Sequence, residues 1–348
     1  MSLLNINEKS YIQKTLIEVS RSFAVVIPCL EDGLKEDMAI AYLLCRVVDN
    51  IEDCNQEYSW QRKRFQEFRQ CFLSESSSTQ VLKSWQNFEW PGLTAQEACL
   101  MSFDGGRTLF QSFHKLSQTS KSLISEWCIQ MANGMEEMVD PNSVSFQRIS
   151  NTKVLKTEDD IFRYCYFVAG TVGQMGTQLA INHYGLQGSV AQKILDLSAN
   201  CARALQMTNI VKDYLEDLQR GISYLPLSWH ELNAFASLNL GEDQRVFLNH
   251  VINRVCHELT FSKEYITTLP RECSGLRMAS LVCLLPALET IKLAAFKSDS
   301  IFTKSHTLKI SKPVFQNCLK IAKNIVSDNK AIDRTAQESL NSIKSLLT

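Results

Sequence analysis

The stretch Tyr42–Asp53, YLLCRVVDNIED, sets four charged residues, Arg46, Asp49, Glu52 and Asp53, into an otherwise apolar run. A helix that is hydrophobic nearly all round is buried, and buried carboxylates are expensive unless something positive neutralises them. Asp49 and Asp53 are four residues apart and Glu52 is three from Asp49, so a helix puts three carboxylates on one face. Arg46 lies one turn before Asp49, and Tyr42 one turn before Arg46. Taken alone, the motif is also satisfied by a local Arg46–Asp49 pair on a solvated stripe.

A second stretch changes that balance. LQMTNIVKDYLEDLQRG, Leu205–Gly221, carries Asp213, Glu216 and Asp217 in the same spacing, with Asn209 one turn before Asp213 and Gln206 nearly one turn before Asn209. The residues ahead of it are again largely apolar, so this helix is also expected to be mostly buried. Two such helices facing across a cavity would repel each other, and a shared set of divalent cations resolves the repulsion. Carboxylates, an amide oxygen and water suit Mg²⁺, which usually binds phosphate as well. The pair reads as a diphosphate site in which metal ions bridge carboxylates to substrate oxygens.

The rest of the chain supports a helical scaffold. Only 7 Pro and 13 Gly occur in 348 residues, and long segments have a period of 3.6. Helices are predicted over 8–19, 35–54, 58–73, 95–116, 123–138, 159–184, 189–218, 244–268, 276–297 and 312–347, with strand-like alternation nearly absent. None of the breaks between them resembles an interdomain linker, which predicts one all-α domain over residues 1–348. The SESSST tract, Ser74–Thr79, reads as a polar, mobile connection, and Ser74–Pro91 as a candidate closing loop.

Composition excludes several classes. A net charge of −1 with 21% charged residues provides no basic excess for nucleic acid or anionic lipid. Twelve scattered cysteines match neither a disulfide framework nor zinc spacing, which favours a reducing, cytoplasmic setting. The start, MSLLNINEKSYIQ, lacks a basic region followed by an apolar core, so no signal peptide is expected. The best candidate membrane span, Ile161–Ile181, contains Arg163, Gln174, Gln178 and three glycines and is rejected. The ending AIDRTAQESLNSIKSLLT reads as an amphipathic helix, with no anchor and at most transient contact with a membrane surface.

SRSFAVVI (Ser20–Ile27), YLLCRVVDNIED, YCYFVAGTVG (Tyr164–Gly173) and LQMTNIVKDYLED (Leu205–Asp217) stand in the order seen in the squalene and phytoene synthase family, which this chain resembles from about Ser20 to Lys312. The resemblance implies the all-α isoprenoid synthase fold with a central active-site cavity, and Mg²⁺-dependent head-to-head joining of two allylic diphosphates. It implies Asp49, Glu52, Asp53, Asn209, Asp213, Glu216 and Asp217 as metal ligands, the four aspartates being catalytic through the metal. Arg21 and Arg46 become diphosphate contacts, for which a guanidinium fork is suited. Ser22, Phe23, Tyr42 and Gln206 join them at the substrate, and Val168 and Gly170 line the prenyl pocket. Gly170, Gly173 and Gly176 do not form a nucleotide loop, and close helix packing through small residues accounts for much of their spacing.

Departures from the family pattern bear on the product. Squalene synthases of eukaryotes place a tyrosine just before V-A-G, where this chain has Phe167, so Tyr166 becomes the candidate hydroxyl. RGISYLP, Arg220–Pro226, resembles a phytoene synthase motif with Ile222 in place of an arginine. Lys212 stands where an arginine is usual, and LKISK, Leu308–Lys312, resembles an NADPH-contacting stretch with Ser311 in place of another; Lys212, Lys309 and Lys312 are the implied NADPH contacts. The D-x-I-E-D and D-Y-L-E-D clusters favour condensation of two farnesyl diphosphates to presqualene diphosphate and NADPH-dependent reduction to squalene. A non-reductive synthase making presqualene diphosphate, dehydrosqualene or phytoene is the second reading. A catalytically inactive scaffold is disfavoured because all six cluster carboxylates are present.

Overall fold

Short polar side chains that hydrogen-bond to backbone N–H groups start several helices and cut the long periodic segments into shorter pieces. The computed structural model describes residues 4–20, 22–229, 242–297 and 308–347. In chain order these form α1 (Ile6–Val19), α2 (Phe23–Val26), α3 (Leu34–Asp53), α4 (Tyr58–Gln70), α5 (Glu75–Trp85), α6 (Ala95–Met101), α7 (Phe103–His114) and α8 (Gln118–Val139). Then follow α9 (Glu158–Cys165), α10 (Thr171–Tyr184), α11 (Gly188–Gln219), α12 (Glu242–Thr268), α13 (Ser274–Phe296), α14 (Lys312–Ile325) and α15 (Asn329–Ser345). The all-α expectation is borne out. Among the described residues three short strands depart from it: β1 (Phe146–Ile149) pairs antiparallel with β2 (Thr152–Leu155), which pairs parallel with β3 (Ile222–Ser223).

Four expected segments differ in detail, three of them through local side-chain hydrogen bonds. The helix expected over 95–116 breaks at Ser102, whose side chain accepts from the Gly105 N–H and restarts the chain as α7. The one expected over 312–347 breaks at Asp328, which accepts from the N–H groups of Lys330 and Ala331. The one expected over 159–184 contains a π turn at Tyr166–Gly170, between α9 and α10. SESSST is not a connection: Ser74 caps α5, and the hydroxyls of Ser78 and Thr79 donate to the Glu75 carbonyl. The candidate closing segment Ser74–Pro91 is therefore largely helix.

Contacts divide the chain into two compact units, residues 1–143 with 171–188, and residues 144–170 with 189–348. In the first, α3 packs against α8 and α10, with α1 and α4 also on it. Ile40, Leu43, Leu44, Val47, Val48 and Ile51 of α3 are buried, each contributing roughly 1.5–3 kcal/mol. This is the nearly all-round apolar helix that the sequence implies.

In the second unit α13 packs against α12, α14 and α15. Arg277 lies at its centre with 0% exposure and no carboxylate partner among the bonds it makes. It donates instead to the carbonyls of Ile266, Leu269 and Val326 and to Asn329 Oδ1, at 2.6–2.8 Å. Among the described residues α13, not Ile161–Ile181, is the one helix long and apolar enough to cross a membrane, and most of its apolar window is buried inside the unit.

Candidate active site

In the first unit the second half of α3 carries the leading acidic cluster. Arg46 reaches Asp49 Oδ2 from Nη1 at 3.5 Å and Glu97 Oε1 from Nη2 at 3.9 Å. Glu97 escapes the sequence reading because T-x-x-E is also a capping box, and Thr94–Glu97 does form one at the start of α6. Its backbone carbonyl further accepts from the Nδ2 of buried Asn50 at 3.1 Å. Tyr42 stacks on Phe23 with ring centroids 4.6 Å apart, so two expected substrate contacts adjoin. Burial pushes the Tyr42 hydroxyl above its ordinary pKa against the pull of Arg46 and Ser20. Ser22 is exposed, and Arg21 lies outside the described residues.

The Asp49 side chain is about a quarter accessible, and desolvation pushes its carboxyl up to about 7. Arg46 pulls it down, and the charges of Asp53 and Glu97 push it up. Asp49, Glu52 and Asp53 all lie in the last two turns of α3, and no basic residue lies in the last turn. A helix C-terminus carries partial negative charge, so these carboxylates stand at the wrong pole for an anion.

In the second unit α11 repeats the arrangement, with Asp213, Glu216 and Asp217 in its last two turns and no basic residue in the last turn. Asp217 is buried and lies 3.9 Å from Arg220 Nη1. The Lys212 ammonium donates to both oxygens of Asp213, so this expected NADPH contact is an ion-pair partner within the cluster. Gln206 is half-buried, whereas Asn209 and Glu216 are exposed. That corrects the expectation that this stretch is mostly buried: one face of α11 stays open through the cluster.

The π turn carries Val168, Gly170 and Tyr166. Tyr166 and Phe167 meet edge to face at 5.7 Å, and the Arg163 guanidinium lies 5.6 Å from the Phe167 ring. Burial pushes the Tyr166 hydroxyl above its ordinary pKa, so near neutral pH it keeps its proton. A second tyrosine escapes the sequence reading. Tyr164, buried, stacks on Tyr224 of the ISYLP segment at 4.2 Å, and the signal for that pairing is a contact distant in sequence.

In α9, Phe162 lies under two guanidinium groups, Arg203 at 4.3 Å and Arg254 at 5.4 Å. Both are neutralised: Arg203 donates to buried Glu258, and Arg254 to Glu158 at 2.8 Å. This ties α9, α11 and α12 together. Lys309 and Lys312 are exposed. Ser311, between them, accepts from the Val314 N–H and caps α14, which supplies a local reason for serine at a position where the family pattern has arginine.

One observation fits Mg²⁺: both clusters crowd carboxylates at helix C-termini without a basic residue in the last turn. Among the described residues no three Asp, Glu, His or Cys side chains converge closely enough to hold an ion, so neither expected carboxylate triad stands as a ready-made metal site.

The squalene/phytoene synthase family model matches residues 16–297. A squalene synthase of Eremothecium gossypii is 26% identical over 327 residues, covering 90% of this chain and 70% of that protein. The chain spans about half the length of other squalene synthases it matches, such as the 45% it covers of the Mus musculus protein. Among solved structures, a ligand complex of TcSQS has a TM-score of 0.78 at 20% identity and covers 98% of this chain and 96% of that one. A dehydrosqualene synthase in complex with a ligand has a TM-score of 0.59 at 17% identity, over 92% and 96%. The helical fold is thus that of these synthases, and with the family match running through most of its length, this chain belongs to the squalene/phytoene synthase family.

Proposed function

We propose that this chain is a Mg²⁺-dependent synthase that condenses two farnesyl diphosphates head to head to presqualene diphosphate and, with NADPH, yields squalene. The observation that carries the reading is the placement of two matched carboxylate clusters at helix C-termini, one of them beside a partly buried arginine. Such a placement calls for a divalent cation and an anionic ligand together.

The roles of the chain's own groups follow. Arg46 and Arg21 would hold oxygens of the departing diphosphate, with Arg46 aimed by Asp49 and Glu97. When bound at Asp49, Glu52 and Asp53 or at Asn209, Asp213, Glu216 and Asp217, Mg²⁺ would neutralise the diphosphate charge and ease its departure. Phe23 and Tyr42 would border the reacting end of the prenyl chain. Tyr166, Phe167 and Val168 would keep water from the allylic cation, and ring faces attract such a cation. The protonated Tyr166 hydroxyl would act as a donor rather than a base. NADPH, held by Lys212, Lys309 and Lys312, would supply the hydride that ends the path as squalene.

A second reading, a non-reductive synthase that stops at presqualene diphosphate or proceeds to dehydrosqualene or phytoene, has specific support. Lys212, one of the three expected NADPH contacts, is engaged with Asp213, and Ser311, where the family pattern has a further arginine, serves as a helix cap. Purified protein incubated with farnesyl diphosphate and Mg²⁺, with and without NADPH, separates the two by mass spectrometry. Squalene formed only with NADPH is the expected result. Presqualene diphosphate or dehydrosqualene regardless of NADPH selects the second reading. No turnover of C15 or C20 diphosphates by wild type overturns both, as does turnover that Asp49→Asn and Asp213→Asn leave unaltered.

A further inference from the structure

Helix ends leave their last carbonyls without intrahelical donors, and a basic side chain commonly supplies the missing donor. The end of α3 has none; its cap residue, Cys54, turns into extended backbone at φ −64° and ψ 125°. The donor comes instead from Gln61 of α4, whose side chain is buried. Its Nε2 donates to the carbonyls of Glu52 at 2.8 Å, Ile51 at 3.1 Å and Cys54 at 3.1 Å. Two N–H bonds are thereby shared among three carbonyls.

The other side of the same turn is clamped too. The Asn55 N–H donates to the Pro91 carbonyl at 2.8 Å. Gly92, at φ +92°, comes so close that a Cβ there would stand 3.3 Å from the Asp53 carbonyl oxygen. Trp90 holds this loop in place through edge contacts with Trp60 at 5.1 Å and Trp85 at 5.3 Å. These groups pack around the last backbone atoms of α3, those of Glu52 and Asp53 among them.

We propose that Gln61 is a positioning residue for the Asp49, Glu52 and Asp53 cluster, holding the end of α3 in the conformation that presents these carboxylates to a divalent cation. The assignment rests on the Mg²⁺ reading above. The choice of residue points from stability to metal. A lysine or arginine would cap this helix end at least as well and would suit its dipole. It would also neutralise the carboxylates that must attract the cation. A buried amide supplies N–H donors with no net charge, capping the helix while leaving the cluster anionic.

Mn²⁺ serves as the probe, measured by equilibrium dialysis with inorganic pyrophosphate on both sides, for wild type, Gln61→Leu and Gln61→Lys, with folding followed by circular dichroism. Gln61→Leu removes the donors at similar volume and is expected to weaken protein-bound Mn²⁺ about 10-fold, the lower range for groups that orient metal ligands. Gln61→Lys retains a donor and is expected to melt closer to wild type while also weakening Mn²⁺. A folded Gln61→Leu that binds Mn²⁺ within about twofold of wild type overturns the proposal, as does a Gln61→Lys that binds as tightly as wild type. If Gln61→Leu does not fold, Gln61→Lys decides by the same criterion. Wild type that binds no Mn²⁺ overturns the metal reading itself, and the assignment of Gln61 with it.

Discussion

Tyr166 fills the space that a side chain at Gly170 would need: a Cβ on Gly170 would stand 2.9 Å from Tyr166 Cδ2 and 3.4 Å from Cγ. The two residues lie at opposite ends of the π turn, so the ring lies back along the turn that presents it. Glycine at 170 is thus a condition for this placement of the ring, and the turn, the ring and the missing Cβ form one unit.

Gly170→Ala should displace the Tyr166 ring and impair turnover by roughly 10–100-fold, as expected for a shift of about an ångström in a reacting site. Product analysis by gas chromatography should show an altered ratio of squalene to non-reduced C30 products. Tyr166→Phe keeps the ring, so a wild-type product ratio in that variant would assign the effect of Gly170→Ala to the ring rather than to the hydroxyl.

Arg46→Lys keeps the charge but loses the two-pronged guanidinium that spans Asp49 and Glu97. A compact ammonium cannot reproduce a fork–fork contact with phosphate. We expect kcat/KM for farnesyl diphosphate to fall about 100-fold, equivalent to about 2.7 kcal/mol. Steady-state kinetics at saturating Mg²⁺ measure it, and a value within about threefold of wild type would remove Arg46 from the substrate's diphosphate.

Asp37, in the first turn of α3, offers a pH test away from the site. Burial raises its pKa, opposed by the Ser120 hydroxyl that donates to it at 2.5 Å; Glu36 raises it further and His183 lowers it. An acid whose folded pKa is raised stabilises the fold fully below its unfolded value, about 3.9, and loses that contribution as pH rises through the folded value. Wild type should therefore lose stability relative to Asp37→Asn as pH rises from about 4 toward neutrality. Melting temperatures across that range would show parallel curves if Asp37 titrated normally.

Arg277→Met should cost on the order of 3–5 kcal/mol, because three buried carbonyls and Asn329 lose their donor at once. Urea unfolding measures it. The KM for farnesyl diphosphate of the folded fraction should remain that of wild type, since Arg277 ties helices together and does not belong to the proposed site.

Much of the fold and half of the candidate site are legible in the sequence, because a helix converts spacing directly into neighbourhood. Asp49 and Asp53, or Asp213 and Asp217, share a helix face by being four apart, and Arg46 precedes Asp49 by one turn. Low Pro and Gly content with a 3.6 period was enough for an all-α chain. Spacing is silent about contacts between distant segments. It could not reveal Glu97 on Arg46, Tyr224 on Tyr164, or Gln61 capping a helix seven to ten residues before it. Nor could it distinguish a cap from a periodic residue, which is why Ser102 and Asp328 divide helices that read as continuous. The sequence by itself determined the helical class and the two acid clusters, since those depend on residues within one or two turns of each other. Only the tertiary structure decided how buried each carboxylate is, which side chains hold it, and that Asn209 and Glu216 face outward, because burial and long-range hydrogen bonds are set by what packs against a helix and not by the helix alone.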